Sequence, residues 1–183
     1  MEKENKKRIR VALIGPESTA KSTLSEQLAK HYTTVWVKEY AREYLAEINR
    51  KYTLDDIVEI SKQQLQKEEE LVEIANSFIF IDTEFINAKV WCMDVFNTCP
   101  TFISDTIIKH KYDLFLLTYP DLEWEPDPLR ENPNRRTFFF DWYEQELKSI
   151  KANYAVIKGV NETRLTNCIA AIENYLSESK INL

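Results

Sequence analysis

The run Gly15, Pro16, Glu17, Ser18, Thr19, Ala20, Lys21, Ser22 and Thr23 carries the densest chemistry in the sequence. It nearly matches glycine, four residues, glycine, lysine, serine or threonine, the pattern of a phosphate-binding loop. Such a loop turns successive backbone N–H groups toward phosphate oxygens, and the helix that follows adds partial positive charge. In that arrangement Lys21 reaches the β- and γ-phosphates of ATP, and the Ser22 hydroxyl ligates Mg²⁺. Ala20 stands where the pattern has its second glycine. Alanine is tolerated there at negative φ and costs about 1 kcal/mol or more at positive φ.

Phosphoryl transfer also needs a second anchor for the metal and a group that orients or deprotonates the nucleophile. Asp82 ends an apolar run, Phe80-Ile-Asp-Thr-Glu84, in the Walker-B manner. It is the expected second Mg²⁺ ligand. Glu84 reads as a second carboxylate or as a helix cap. Glu39 follows another strand-like run and is placed to receive a proton from a substrate hydroxyl. Glu39 and Asp82 are both candidates for the base. Arg42 is placed to hold a phosphate or the carboxylates. A proline-rich stretch carries Arg130, Arg135 and Arg136. Planar guanidinium groups stabilise developing phosphate charge, and Arg130 is the favoured one. Arg164, in the turn after Gly159, is placed to stack on adenine. Trp91 and Trp124 are candidates to face a flat cationic substrate. Trp36, Trp142 and the Phe138-Phe-Phe140 run read as core.

These groups need elements to hold them. Apolar runs predict five strands, over 10–14, 34–37, 77–81 ending at Asp82, 113–117 and 154–157. Between them lie helical patterns over 21–32, 40–48, 54–75, 87–96, 101–109 and 138–150. A last helix, capped by Asn161 or Thr163, runs to about residue 176. Thr53 followed by Asp56 marks the start of the long helix, and Glu68, Glu69 and Glu70 read as its solvated face. Residues 119–136, with four prolines and little periodicity, form the expected lid. Alternating strands and helices predict a single α/β domain over 1–183 with a mostly parallel sheet, residues 1–7 being a flexible basic tail.

Composition removes some functions. The chain has 183 residues, with 24 basic and 30 acidic side chains, a formal charge of −6. That balance argues against non-specific nucleic-acid binding. No apolar run reaches the roughly 18 residues that a membrane span requires. The basic start leads straight into the first strand, leaving no room for a signal peptide. Three unpatterned cysteines read as reduced thiols in a cytoplasmic protein. Average usage of about 7% predicts roughly 13 glycines. The sequence keeps two, Gly15 and Gly159, both at the end of a strand-like run.

Together the segments resemble the ribosylnicotinamide kinases, as found in the kinase domain of the bifunctional NadR proteins. The match covers nearly the whole chain. It is carried by Gly-Pro-Glu-Ser-Thr-Ala-Lys-Ser-Thr at 15–23, Glu-Tyr-Ala-Arg-Glu-Tyr at 39–44 and Asp-Thr-Glu at 82–84. Lys-Val-Trp at 89–91, Tyr-Asp-Leu-Phe-Leu-Leu at 112–117 and Trp-Glu-Pro-Asp-Pro-Leu-Arg at 124–130 extend it. The resemblance implies a P-loop kinase fold with strand order 2-3-1-4-5. It implies transfer of phosphate from ATP, with Mg²⁺, to the ribose 5′-hydroxyl of nicotinamide riboside. Gln64 matches a family glutamine expected at the carboxamide, and the nucleoside crevice is expected between Glu39, Tyr40, Arg42, Gln64, Trp91 and Trp124. At position 38 the family pattern has tryptophan and this sequence has lysine, which would repel a pyridinium ring. Two other readings stand beside this one: a kinase for another nucleoside or a nucleotide, and a non-catalytic ATP-binding regulatory module. The residues leave the oligomeric state open.

Overall fold

The computed structural model describes residues 8–181, so the tail expected over 1–7 lies outside the described residues. Its centre is a five-stranded parallel sheet: β1 (Ile9–Ile14), β2 (Val35–Val37), β3 (Phe78–Asp82), β4 (Leu114–Thr118) and β5 (Tyr154–Ile157). The order across the sheet is β2-β3-β1-β4-β5, as the sequence resemblance implied. β1, β3 and β4 are covered on both faces, which is why they read as unbroken apolar runs.

Among the described residues seven helices surround the sheet: α1 (Lys21–His31), α2 (Tyr40–Glu47), α3 (Leu54–Val72), α4 (Phe85–Phe96), α5 (Thr101–Lys109), α6 (Arg136–Ser149) and α7 (Asn161–Glu178). The period-two alternation of strand side chains divides the core in two. Ile9, Val11, Leu13, Phe78 and Phe80 meet Leu24 and Leu28 of α1 and Cys168 and Ile172 of α7. Ala12, Ile14, Ile79 and Ile81 meet Ile86 and Val90 of α4 and Phe139, Phe140 and Leu147 of α6. A smaller cluster of Ile57, Phe85, Cys92 and Ile103 joins α3, α4 and α5. Phe138 departs from the expected core run, being 50% exposed. At helical spacing three consecutive residues cannot all face inward. Trp36 and Trp142 pack half-buried against the two main clusters.

α3 opens with a full capping box. Thr53 accepts from the Asp56 N–H, and the Asp56 carboxylate accepts from the Thr53 N–H at 2.7 Å. Such a cap contributes about 1 kcal/mol. The same helix corrects the reading of its acidic run. Ile57, Ile60, Ser61, Gln64 and Glu68 share one buried stripe at spacings of three and four, so Glu68 points inward while its neighbours do not. Its carboxylate pairs with Arg10, lies 2.8 Å from His110 Nε2 and accepts from the Tyr112 hydroxyl at 3.0 Å. A buried charge survives only with such partners. At α7 neither Asn161 nor Thr163 is the cap. Val160 occupies that position, with no side-chain hydrogen bond. None of the helices among the described residues is long and apolar enough to cross a membrane.

Candidate nucleotide and acceptor site

The site lies at the carboxyl edge of the sheet, where β1, β2, β3 and β4 deliver their following loops to one crevice of about 970 Å³. The loop of 15–20 leaves β1 and enters α1. Gly15 has φ +143°, and a Cβ there would lie 2.4 Å from Thr118 Oγ1 and 2.8 Å from the Thr118 carbonyl. Only glycine fits. The Thr118 hydroxyl donates to the Ile14 carbonyl and meets the Thr19 hydroxyl at 2.7 Å, so β4 braces the loop from beneath. Ala20 has φ 64° and ψ 25°, the left-handed conformation in which an alanine is strained. Lys21 Nζ donates to the carbonyls of Gly15 and Pro16 at 2.9 and 2.8 Å. Burial lowers its pKa, against the opposing pull of Glu39, Asp82 and Glu17. The residues from Gly15 to Thr23 all line the crevice.

Asp82 ends β3 fully buried, and neither carboxylate oxygen has a hydrogen-bond partner among the described residues. Burial raises its pKa first and the Glu39 charge second. Ser22, Lys21 and Arg42 pull it back. The Ser22 side chain stands beside the carboxylate. Two unpartnered oxygens beside a serine hydroxyl fit a hard divalent cation, which takes oxygen ligands. Glu84 resolves as a cap: its carboxylate accepts from the Ile86 and Asn87 N–H groups at 2.8 and 3.3 Å, and burial pushes its pKa up to about 8. Glu39 precedes α2 and lines the crevice. It lies 3.3 Å from Arg42 Nε, whose Nη1 donates to Asp127 at 2.8 Å. Burial works against the Arg42 charge, but the Asp127 hydrogen bond and the Glu39 carboxylate outweigh it.

Residues 119–135, irregular throughout, fold back over the phosphate loop. Glu17 accepts from the N–H groups of Glu131 and Asn132, and Ser18 Oγ accepts from the Glu125 N–H at 2.9 Å. Arg130 lines the crevice and donates to the Glu125 carbonyl. Arg135 is committed to Asp94, at 2.6 and 3.0 Å, and Arg136 to the carbonyls of Ser18 and Leu122.

Of four further expected contacts, Arg164 and Gln64 line the crevice, and Tyr40 and Trp124 do not. Arg164 is 1% exposed, its guanidinium held by Asp121 and the carbonyls of Gly159 and Tyr119. It lines the crevice and ties the β4 and β5 loops together. Gln64 accepts from the Tyr40 N–H at 2.9 Å and donates to the carbonyls of Asp82 and Thr83. Its amide braces α2 against β3 from the crevice lining. The Tyr40 ring lies beneath the Lys67 ammonium, outside the crevice. Trp124 also lies outside the crevice lining, under the Arg136 guanidinium. Trp91 does line the crevice, edge-to-face with Tyr52 at 4.9 Å. Tyr52 was not legible as a site residue, because it sits in an irregular turn with no motif around it. Lys38 faces away, its ammonium 5.8 Å from the Trp36 ring.

A sheet of this order with this loop defines the P-loop kinase fold. A family model described as an AAA domain matches residues 10–164, and the chain belongs to that family. The chain is also similar to NadR proteins. It is 32% identical over 179 residues to the trifunctional NAD biosynthesis/regulator protein NadR of Escherichia coli (strain K12), and 27% identical over 177 residues to that of Salmonella typhimurium (strain LT2). These alignments cover 93% and 92% of this chain but 43% of each relative, so the chain spans less than half their length. A solved NadR protein in complex with NR has a similar fold, with TM-score 0.79 at 22% identity, covering 93% of this chain and 52% of that one. A thymidylate kinase from Candida albicans aligns at TM-score 0.64 and 13% identity, over 96% of both chains.

Proposed function

We propose that this protein transfers the γ-phosphoryl group of ATP to the 5′-hydroxyl of nicotinamide riboside, giving nicotinamide mononucleotide. The observation that carries the reading is the buried, unpartnered Asp82 carboxylate beside Lys21 and Ser22, with Glu39 facing the same crevice. Lys21 leaves the Gly15 and Pro16 carbonyls to meet the β- and γ-phosphates. Ser22 and Asp82 would hold Mg²⁺, which would neutralise charge on the transferring group. With Asp82 assigned to the metal, Glu39, which lines the crevice, is the base.

Glu39 takes the proton of the 5′-hydroxyl as its oxygen bonds the γ-phosphorus. The bond from that phosphorus to the β–γ bridging oxygen breaks, and ADP leaves. Arg130 stabilises the equatorial oxygens. The proline-rich segment serves as a lid, tied to the base through the Asp127–Arg42–Glu39 chain, and keeps water from the phosphoryl group.

Tyr52 and Trp91 form an aromatic wall suited to a cationic pyridinium ring. Lys38, which would repel that ring, points elsewhere. The solved NadR complex with NR and the NAD-related relatives support the same substrate. The deciding experiment incubates the protein with Mg²⁺-ATP and nicotinamide riboside and follows the product by ³¹P NMR and mass. A single new phosphomonoester on the 5′-oxygen is expected. Phosphorylation of another nucleoside in preference would replace the substrate. ATP binding without transfer to any nucleoside would return the non-catalytic module.

A further inference from the structure

Among the described residues seven buried side-chain polar atoms lack a hydrogen-bond partner, and four of them fall within residues 82–87. They are both oxygens of Asp82, Oγ1 of Thr83 and Oδ1 of Asn87. Buried polar atoms nearly always find partners, so such a group beside a crevice marks where a ligand supplies them. The Asp82 oxygens are accounted for by the metal. Asn87 is not. It is 9% exposed, lines the crevice and stands one turn into α4. Tyr143 of α6, buried, lines the crevice with it, and the Asn87 amide partly offsets the burial that raises the phenol pKa.

The position of Asn87 along α4 says which part of a ligand it meets. Glu84 begins the helix beside Asp82, and Trp91 lies one turn beyond Asn87 on the same side. Four residues of helix span about 6 Å, roughly a sugar-to-base distance. A nucleoside with its 5′-hydroxyl near Asp82 and Glu39 and its base against Trp91 therefore places its sugar at Asn87. The orphaned Oδ1 is an acceptor and needs a donor. Phosphate oxygens are acceptors only, so the nucleotide's tail cannot satisfy it. Ribose hydroxyls can.

Resting on the kinase reading above, we infer that Asn87 Oδ1 accepts a hydrogen bond from a ribose 2′- or 3′-hydroxyl of the acceptor, making the site selective for ribonucleosides over their deoxy analogues. The test pairs enzyme and substrate truncations. Wild type, Asn87→Ala and Asn87→Asp are assayed with nicotinamide riboside and its 2′-deoxy and 3′-deoxy analogues, with thermal unfolding run in parallel. In the wild type, removing one of the two hydroxyls is expected to cost about 10- to 100-fold in kcat/KM. Asn87→Ala is expected to lose a similar factor on the ribonucleoside, to become indifferent to that hydroxyl and to keep its KM for ATP. Asn87→Asp, which retains an acceptor, keeps the discrimination.

Equal losses on all acceptors with the wild-type preference intact would make Asn87 a packing residue and overturn the inference. So would a wild type that phosphorylates ribo- and deoxynucleosides alike, leaving the kinase reading standing. A wild type that phosphorylates no nucleoside overturns both.

Discussion

Ala20 holds a left-handed backbone at φ 64° in the middle of the phosphate loop. The strain there is about 1–2 kcal/mol for a side chain with a Cβ, and glycine recovers it at some cost in unfolded-state entropy. Ala20→Gly is therefore expected to stabilise the nucleotide-free protein by about 0.5–1 kcal/mol, an upward Tm shift of about 1–4 °C. A calorimetric scan of the two proteins checks it. Asp82 gives a second residue-scale expectation. Burial and the Glu39 charge raise its folded pKa above the unfolded value. Its neutral form is the one the fold favours, so its stabilising contribution is present at acid pH and lost as pH rises through the raised pKa. Asp82→Asn should therefore raise the Tm of the metal-free protein by a few degrees at pH 8, converge with wild type near pH 4 and abolish turnover. Denaturation curves across that range decide it. Loss of stability in the variant at pH 8 would mean that the carboxylate is structural. Both residues were legible as site residues from the motif alone, whereas their backbone angle and lack of partners are properties of three dimensions.

At the scale of elements, the regular segments were readable because the hydrophobic period announces them. α5 and β5 have the bounds the sequence predicts, and the other elements differ only at their ends. What the period did not reveal was orientation. The run of Glu68, Glu69 and Glu70 looks uniformly exposed, yet the 57–60–64–68 stripe turns the first of them inward. Gln64 and Arg164 carry polar groups suited to ligands, and both spend them on backbone carbonyls of neighbouring loops. Sequence shows donors and acceptors but not who reaches them first. The proline-rich segment was legible as a lid only in outline, since its contacts are long-range: Glu17 with 131 and 132, Arg42 with Asp127. Asp127→Asn removes one tie between lid and base. It should lower kcat/KM on the order of tenfold, ~1.4 kcal/mol of transition-state positioning. Limited proteolysis within 119–136 should quicken, while Tm barely changes, because the pair is partly exposed. Steady-state kinetics beside a trypsin time course tests both.

For the whole molecule, a parallel sheet in the order β2-β3-β1-β4-β5 brings four strand ends to one edge, and the chemistry follows from that convergence. A glycine-anchored loop, a buried unpartnered carboxylate, a second carboxylate at the crevice and an aromatic wall come from segments up to 76 residues apart (15 to 91). The fold and the phosphate loop were readable from sequence because both are local patterns repeated along the chain. The acceptor end was readable only in part: Glu39 and Trp91 stood out by residue type and place, whereas Tyr52, Asn87 and Tyr143 line the crevice without any shared motif. The proposed reaction is ATP-driven phosphorylation of a nucleoside at this crevice. Its most direct test is ADP release from Mg²⁺-ATP with and without nicotinamide riboside, for wild type and for Lys21→Ala. Release that requires the nucleoside and falls to background in Lys21→Ala, with unfolding of that variant unchanged, is the predicted result. Release that ignores the nucleoside, or that survives the loss of Lys21, would contradict the account.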